Sequence, residues 1–311
     1  MEKYSEKLQK ILASSGWSQE TLAKKLDVSF VSLNSWINQK SEPREKAKEK
    51  IDLLFIEILG SDDVDREELK TLKSLAEKKK SSVKKILDDP VFLERITTNL
   101  TYHTNATEGS TMTEKDVAEV IYDHKILRNR TSVEQREAIN HQTALYFLLD
   151  ELNAEKSNFR FSTDLILATH LRLMNGIISN AGHFRTENVR IRGAFIPLAN
   201  FIKIPELIKA WTNQVNEETS DPINLLASSH ASFEKIHPFS DGNGRTGRLL
   251  LFILALKLGL TPPIIEKDRK SAYYKYLELA QTKEITDPLE MFLAEEILKT
   301  ADFFSSALQS L

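Results

Sequence analysis

HPFSDGNGRTGR, residues 237–248, lies between two apolar runs. Upstream, Ile223 to Ile236 carries Leu225, Leu226, Phe233 and Ile236 at helical spacing. Downstream, Leu249 to Leu260 is almost wholly apolar, the pattern of a helix buried on most sides. Pro238 and the Gly242/Gly244 pair stop the first helix, and the spacing predicts a second one starting near Arg245. The stretch is therefore a loop closed by a helix N-terminus.

That geometry has a chemical meaning. Glycines let successive N–H groups turn inward, and the helix end adds unpaired donors and a positive dipole, which together make an anion site. Arg245 and Arg248, three residues apart, share a helix face and can both reach a polyphosphate. Asp241 is a hard oxygen ligand suited to Mg²⁺ beside phosphates. His237 opens the loop and can accept a proton near neutral pH. Together these residues point to phosphoryl or nucleotidyl transfer. A P-loop is excluded: Gly242-x-x-x-x-Gly247 is followed by Arg248 and Leu249 where Lys and Ser/Thr are needed, and a helix precedes it instead of a strand.

The whole chain sets wider bounds. Its 311 residues can hold a sizeable core and a second small domain. A net charge of −3 gives no global field toward nucleic acid or membrane. Cysteine is absent, which excludes disulfides, thiol catalysis and cysteine-ligated zinc. Seven histidines include no HxxxH pair, so no zinc site is expected. No apolar run reaches the ~18 residues of a membrane span, and Met1 to Glu6 has no apolar leader, so a cytoplasmic protein without a membrane partner is expected. Scarce glycine and proline with abundant Leu, Lys, Glu and Ala favour a mainly α fold.

Residues 1–57 read as a compact helical unit. Leu8, Ile11 and Leu12 mark a first helix ending near Gly16. Ser18 caps a second, Gln19 to Leu26, and Phe30 to Ile37 forms a third after a turn at Asp27-Val28. A fourth is expected from Arg44 to Phe55. Residues 58–91 read as a charged connector, partly helical through Leu69, Leu72, Leu75 and Ala76. A larger domain spans 92–311. In it, Thr113 with Asp116 opens a helix, Leu165 to Ile178 forms another, and Val189 to Ile202 alternates as one β-hairpin.

Residues 237–248 resemble the HPFx(D/E)GNGRxxR signature of the Fic family at every defined position. The resemblance implies a Fic-type helical core that transfers AMP from ATP to a protein hydroxyl with Mg²⁺. His237 would be the base and Asp241 the metal ligand. Gly242, Asn243, Gly244, Arg245, Thr246, Gly247 and Arg248 would hold the phosphates. Thr104-Asn105-Ala106-Thr107-Glu108-Gly109 resembles the family's inhibitory (S/T)xxxE(G/N) motif. It implies that Glu108 sits at the nucleotide and pairs with Arg248. The hairpin resembles the family's flap, which implies that Ile191, Arg192, Gly193 and Ala194 lie near the nucleotide and hold the target. The segment from Arg269 through Tyr273-Tyr274 to Leu277 resembles a further motif, implying that Tyr273, Tyr274 and Gln281 line the adenosine pocket.

Residues 18–29 with Trp36 resemble the repressor-type (Cro-like) helix-turn-helix domain, with Gln39 where that family often has Gly. That resemblance implies a DNA-binding dimer presenting Ser29, Phe30, Ser32 and Asn34 in the major groove. Ten Lys/Arg against eight Asp/Glu over residues 1–56, a net of +2, support it only weakly. The leading expectation is an autoinhibited protein adenylyltransferase acting on a Ser, Thr or Tyr hydroxyl of a target or of itself. Two alternatives share its residues: a hydrolase removing AMP with Glu108 orienting water, and a DNA-binding regulator whose second domain senses nucleotide.

Overall fold

A computed structural model describes residues 3–61, 64–190 and 196–309. Within them lie fifteen α-helices and no strand; the one β-type contact is an isolated bridge between Lys80 and Leu260. The mainly α fold expected from composition is what forms.

The first unit is built from α1 (Tyr4–Ser15), α2 (Gln19–Leu26), α3 (Phe30–Ile37) and α4 (Glu45–Leu59). Gly16 ends α1 in the left-handed conformation. Ser18 and Ser29 cap α2 and α3 by accepting from Thr21 N and Ser32 N. Leu8, Ile11, Leu22, Leu26, Leu33, Ile37, Ile51 and Ile58 form one buried cluster. Gln39 takes φ +57°, so the turn after α3 keeps the left-handed backbone that glycine would otherwise supply.

Residues 66–87 hold α5 (Arg66–Glu77) and α6 (Val83–Leu87). They are more than a solvated connector. Leu69, Ala76 and Ile86 are buried, α5 packs on the last helix of the chain, and Ala76 and Ile86 join the second core. Most of the charges lie on the outer face and mask an amphipathic pattern, whereas Lys73 turns inward to pair with Asp221 (2.6 Å) and Glu290 (2.5 Å).

The larger unit continues with α7 (Pro90–Thr107), α8 (Glu114–Ile121), α9 (Ser132–Glu155), α10 (Thr163–Met174), α11 (Ile204–Asn216), α12 (Pro222–Ile236), α13 (Asn243–Lys257), α14 (Lys270–Lys283) and α15 (Asp287–Gln309). Helix α13 is the axis: every residue from Leu249 to Leu256 is buried, as its unbroken apolar run requires. It starts at Asn243, two residues before the expected point, because Gly242 itself is the left-handed cap. Thr113 and Asp116 close a reciprocal capping box at α8. Helix α10 stops at Met174, short of Ile178, because Gly176 turns left-handed.

The expected hairpin falls in part on residues that are not described. Its positions Ile191, Arg192, Gly193 and Ala194 lie outside the described residues. The described remainder of 189–202 contains no strand, and Phe201–Lys203 is a 3₁₀ turn feeding α11. The Asn200 side chain accepts from Ile202 N and caps that turn.

The two units meet at α14 and a 3₁₀ turn over Lys267–Arg269. Trp17 Nε1 donates to Asp268 (2.7 Å), Arg269 Nε to the Glu57 carbonyl (3.1 Å), and Ser61 N to the Tyr276 hydroxyl (2.9 Å).

Candidate active site

Helix α12 ends at His237, whose φ of +50° turns the chain sharply into the loop. This left-handed backbone in a non-glycine residue is strained and persists only where neighbours fix it. Several do. His237 N donates to the Phe233 carbonyl, and Arg185 N donates to the Pro238 carbonyl. His237 Nδ1 lies 3.2 Å from the Glu234 carbonyl. A carbonyl can only accept, so Nδ1 carries the proton and Nε2 is left as the acceptor. Burial lowers the affinity of the imidazole for a second proton, with the nearby Arg185 charge pulling the same way.

The loop is pinned from within. The Asn243 amide accepts from Phe239 N (2.9 Å) and donates to Phe239 O (2.8 Å). His170 accepts from Gly182 N at Nδ1 and therefore donates from Nε2 to the Asp241 carbonyl, both at 2.9 Å. Its ring stacks on Phe239 with centroids 3.6 Å apart. Burial lowers the His170 pKa to about 4, so the ring stays neutral and holds that tautomer. Beyond Gly242, the N–H groups of Asn243, Gly244 and Arg245 form the open first turn of α13. The Asn243 side chain is thus a brace, and its backbone N–H is what it can offer to an anion.

The other expected phosphate residues divide. Asp241 is exposed; its Oδ1 accepts from Gly242 N (2.6 Å) and lies 3.5 Å from Arg245. Arg245 is drawn to Glu137 on α9 (2.5 Å), whereas Arg248 is drawn to Glu108 at the C-terminus of α7 and to the Thr104 carbonyl (3.3 Å). The two arginines thus reach different helices instead of converging. Thr246 is turned away from the nest, its hydroxyl bonded to the Gly242 carbonyl (2.9 Å). Gly247 is also turned away: a Cβ there would strike the Glu234 carboxylate on α12. Gly244 has the opposite duty. A Cβ there would strike Glu108, so only glycine lets that carboxylate reach Arg248.

Burial opposes charge on Glu108, but Arg248, with help from Arg245 and His237, holds the carboxyl below its ordinary pKa. Arg248 keeps Nε and one terminal nitrogen buried without a protein partner. Glu234, fully buried and with one oxygen unpartnered, is pushed up to about 7 by burial against the opposing pull of Arg248.

Of the three residues assigned to adenosine, Tyr274 alone is exposed. Tyr273 is fully buried and hydrogen-bonds His230 (2.7 Å). Gln281 is buried with its amide oxygen unpartnered. In the first unit Ser29 and Phe30 are exposed, the Ser29 hydroxyl is taken up in capping α3 by accepting from Ser32 N, and the Asn34 amide donates to Gln19 (3.1 Å). The sequence did not single out Arg185, Glu137 or Glu234.

Comparison with known proteins names this arrangement. A sequence profile described as Fic/DOC family matches residues 160–255, and one described as helix-turn-helix matches residues 8–51. The chain carries a Fic/DOC domain. Over 205 residues it is 30% identical to the protein adenylyltransferase Fic of Drosophila melanogaster, covering 65% of this chain and 41% of that one. Over 187 residues it is 33% identical to the protein adenylyltransferase fic-1 of Caenorhabditis elegans, covering 59% of this chain and 36% of the relative. The chain thus spans less than half the length of these curated relatives. Among solved structures, Fic-1 (residues 134–508) of C. elegans superposes with a TM-score of 0.67 at 23% identity, covering 94% of this chain and 86% of that chain. A Fic domain-containing signalling protein of Bacteroides thetaiotaomicron gives 0.64 at 19% identity, covering 78% and 98%. At these identities the superpositions establish the fold of the Fic/DOC domain. Among the described residues, no helix is long and apolar enough to cross a membrane.

Proposed function

We propose that the protein is an autoinhibited protein adenylyltransferase: it moves AMP from ATP to a Ser, Thr or Tyr hydroxyl. The observation that carries this is the His237 imidazole, neutral and with Nε2 free to accept, at the mouth of the α13 N–H nest. The relatives' names support the same chemistry.

The target hydroxyl gives its proton to His237 Nε2 as its oxygen bonds to the α-phosphorus. The bond from that phosphorus to the bridging oxygen breaks, and pyrophosphate leaves. The nest and Arg248 hold the phosphates, so rate comes from position and fixed positive charge. Tyr274 offers a face to the adenine, with Tyr273 and Gln281 as the layer behind it.

Among the described residues, no three His, Asp or Glu side chains could cage an ion. Mg²⁺ commonly needs only one or two carboxylates beside phosphates. Asp241 fits that requirement as an exposed carboxylate next to the nest. It would hold Mg²⁺, which when bound neutralises phosphate charge.

The helix-turn-helix domain, residues 1–57, would dock on DNA as part of a dimer, with 58–91 tying it to the catalytic domain of 92–311. Gel shifts of the full chain on its own upstream DNA should weaken steeply with salt; salt-insensitive or absent binding would move this domain to protein docking. The test of the activity is labelled ATP with Mg²⁺ and a cell lysate, comparing wild type, His237→Ala and Glu108→Gly. Label on protein in Glu108→Gly and none in Glu108→Gly/His237→Ala is the expected result; no label in any of them sinks the reading.

A further inference from the structure

Arg185 lies in the segment between α10 and α11 and is almost fully buried. Among the described residues no carboxylate pairs with it, and its pKa is lowered by burial alone. Its guanidinium meets backbone carbonyls instead. Nε donates to His237 O (2.7 Å), one terminal nitrogen to Glu187 O (2.6 Å), and the other to Ala199 O and, more weakly, Ile236 O (3.4 Å). Its own N–H donates to Pro238 O (2.9 Å).

These partners belong to two structures. Ile236, His237 and Pro238 are the left-handed turn that aims the imidazole. Glu187 and Ala199 are the two ends of the segment leading into α11. Ala199 N donates to Lys235 O (3.3 Å), and Phe201 N to the Asn188 side chain (3.4 Å), so the ends are stitched both to each other and to α12. The guanidinium is the node where these contacts join. A planar fork with five N–H groups can serve carbonyls on several sides at once. A lysine ammonium, a compact point charge, cannot span that set.

Resting on the reading of His237 as base, we propose that Arg185 is a positioning residue. It fixes the strained His237 turn against the Glu187 and Ala199 stems, and so sets where Nε2 stands relative to the target hydroxyl. It touches neither nucleotide nor reacting atoms. The α13 nest has its own braces in Asn243 and His170, so nucleotide binding should not depend on Arg185.

The test uses the full chain carrying Glu108→Gly, with Arg185→Lys and Arg185→Gln added singly. Expected are a fall in kcat of at least about tenfold and a KM for ATP within about twofold of the parent, as loss of placement without loss of binding requires. Long-range ¹H–¹⁵N spectra of His237 give an activity-free readout. The parent should show the Nδ1–H tautomer, and the variants a mixture. Parental kcat in both variants overturns the proposal. So does a kcat loss matched by weaker ATP binding with the tautomer unchanged, or failure of both variants to fold, either of which makes Arg185 purely structural. If the Glu108→Gly parent transfers no AMP, the catalytic reading fails, and the spectra alone then decide whether Arg185 sets the His237 tautomer.

Discussion

Glu108 and Arg248, 140 residues apart in sequence, form an ion pair between the end of α7 and the second turn of α13. Neither end is incidental. Gly244 provides the space through which the carboxylate reaches, and the Thr104 carbonyl on α7 takes a second bond from the same guanidinium. The arginine proposed to grip phosphate is thus occupied by the chain's own carboxylate.

The free Nε2 of His237 makes the first prediction. His237→Ala should lower transfer by ~10²–10⁴, the usual cost of losing a general base. ATP affinity, measured calorimetrically, should stay within a few-fold, because the imidazole stands beside the nest instead of within it. Undiminished turnover would remove the base assignment.

Asp241 is the one carboxylate inside the 237–248 loop. Asp241→Ala should abolish most activity and flatten its dependence on Mg²⁺ concentration, since a bare triphosphate has no other acidic anchor for the ion there. Superimposable Mg²⁺ titrations of variant and wild type would place the metal elsewhere.

Glu234 gives a pH prediction. Its carboxyl is raised from the ordinary 4.5 to about 7 by burial, so the folded chain holds that proton more tightly than the unfolded one. Stability from this group is therefore intact below about pH 4.5 and is lost as pH rises through about 7. The buried histidines act with the opposite sign: His141 and His230, lowered by burial to about 3, favour the folded state as pH rises through their ordinary 6.5. Comparing Tm of Glu234→Gln with wild type from pH 5 to 8 cancels that background. The variant should gain relative to wild type as pH rises. A constant difference across the range would show that Glu234 does not titrate there.

Some of this was legible in the residues and some was not, for physical reasons. Caps such as Ser18 and Thr113 were readable because their hydrogen bonds are local in sequence. So was α13, because burial on all sides leaves an unbroken apolar run. In the 58–91 connector the helix through Leu69 and Ala76 was readable from its spacing, but its docking was not, because charged residues dominate the composition while Leu69, Ala76 and Ile86, with Leu72, Val83 and Leu87 beside them, carry the packing. Arg185 was invisible because its partners are carbonyls, which every residue has. Gly247 resembled a phosphate glycine because the sequence cannot show that Glu234 lies against it.

The Glu108–Arg248 pair yields the last prediction. While Arg248 is held, it cannot grip the outer phosphate, and the Glu108 carboxylate repels that phosphate as well. On this reading ATP would bind with its α-phosphorus off the line of attack, and a misplacement near 1 Å costs ~10²-fold in rate. Wild type should therefore be nearly silent in vitro. Glu108→Gly should raise self-modification or target modification by at least about tenfold, equivalent to ~1.4 kcal/mol of barrier. Arg248→Ala should not reproduce the gain, because it removes the phosphate ligand together with the inhibitor's partner. Any AMP-removing activity should move the other way, falling in Glu108→Gly, since orienting water requires the carboxylate. Incubation with labelled ATP across these three proteins, with nucleotide-bound structures of wild type and Glu108→Gly, is the measurement. Equal labelling with the phosphates in the same pose would leave the ion pair a structural contact with no inhibitory role.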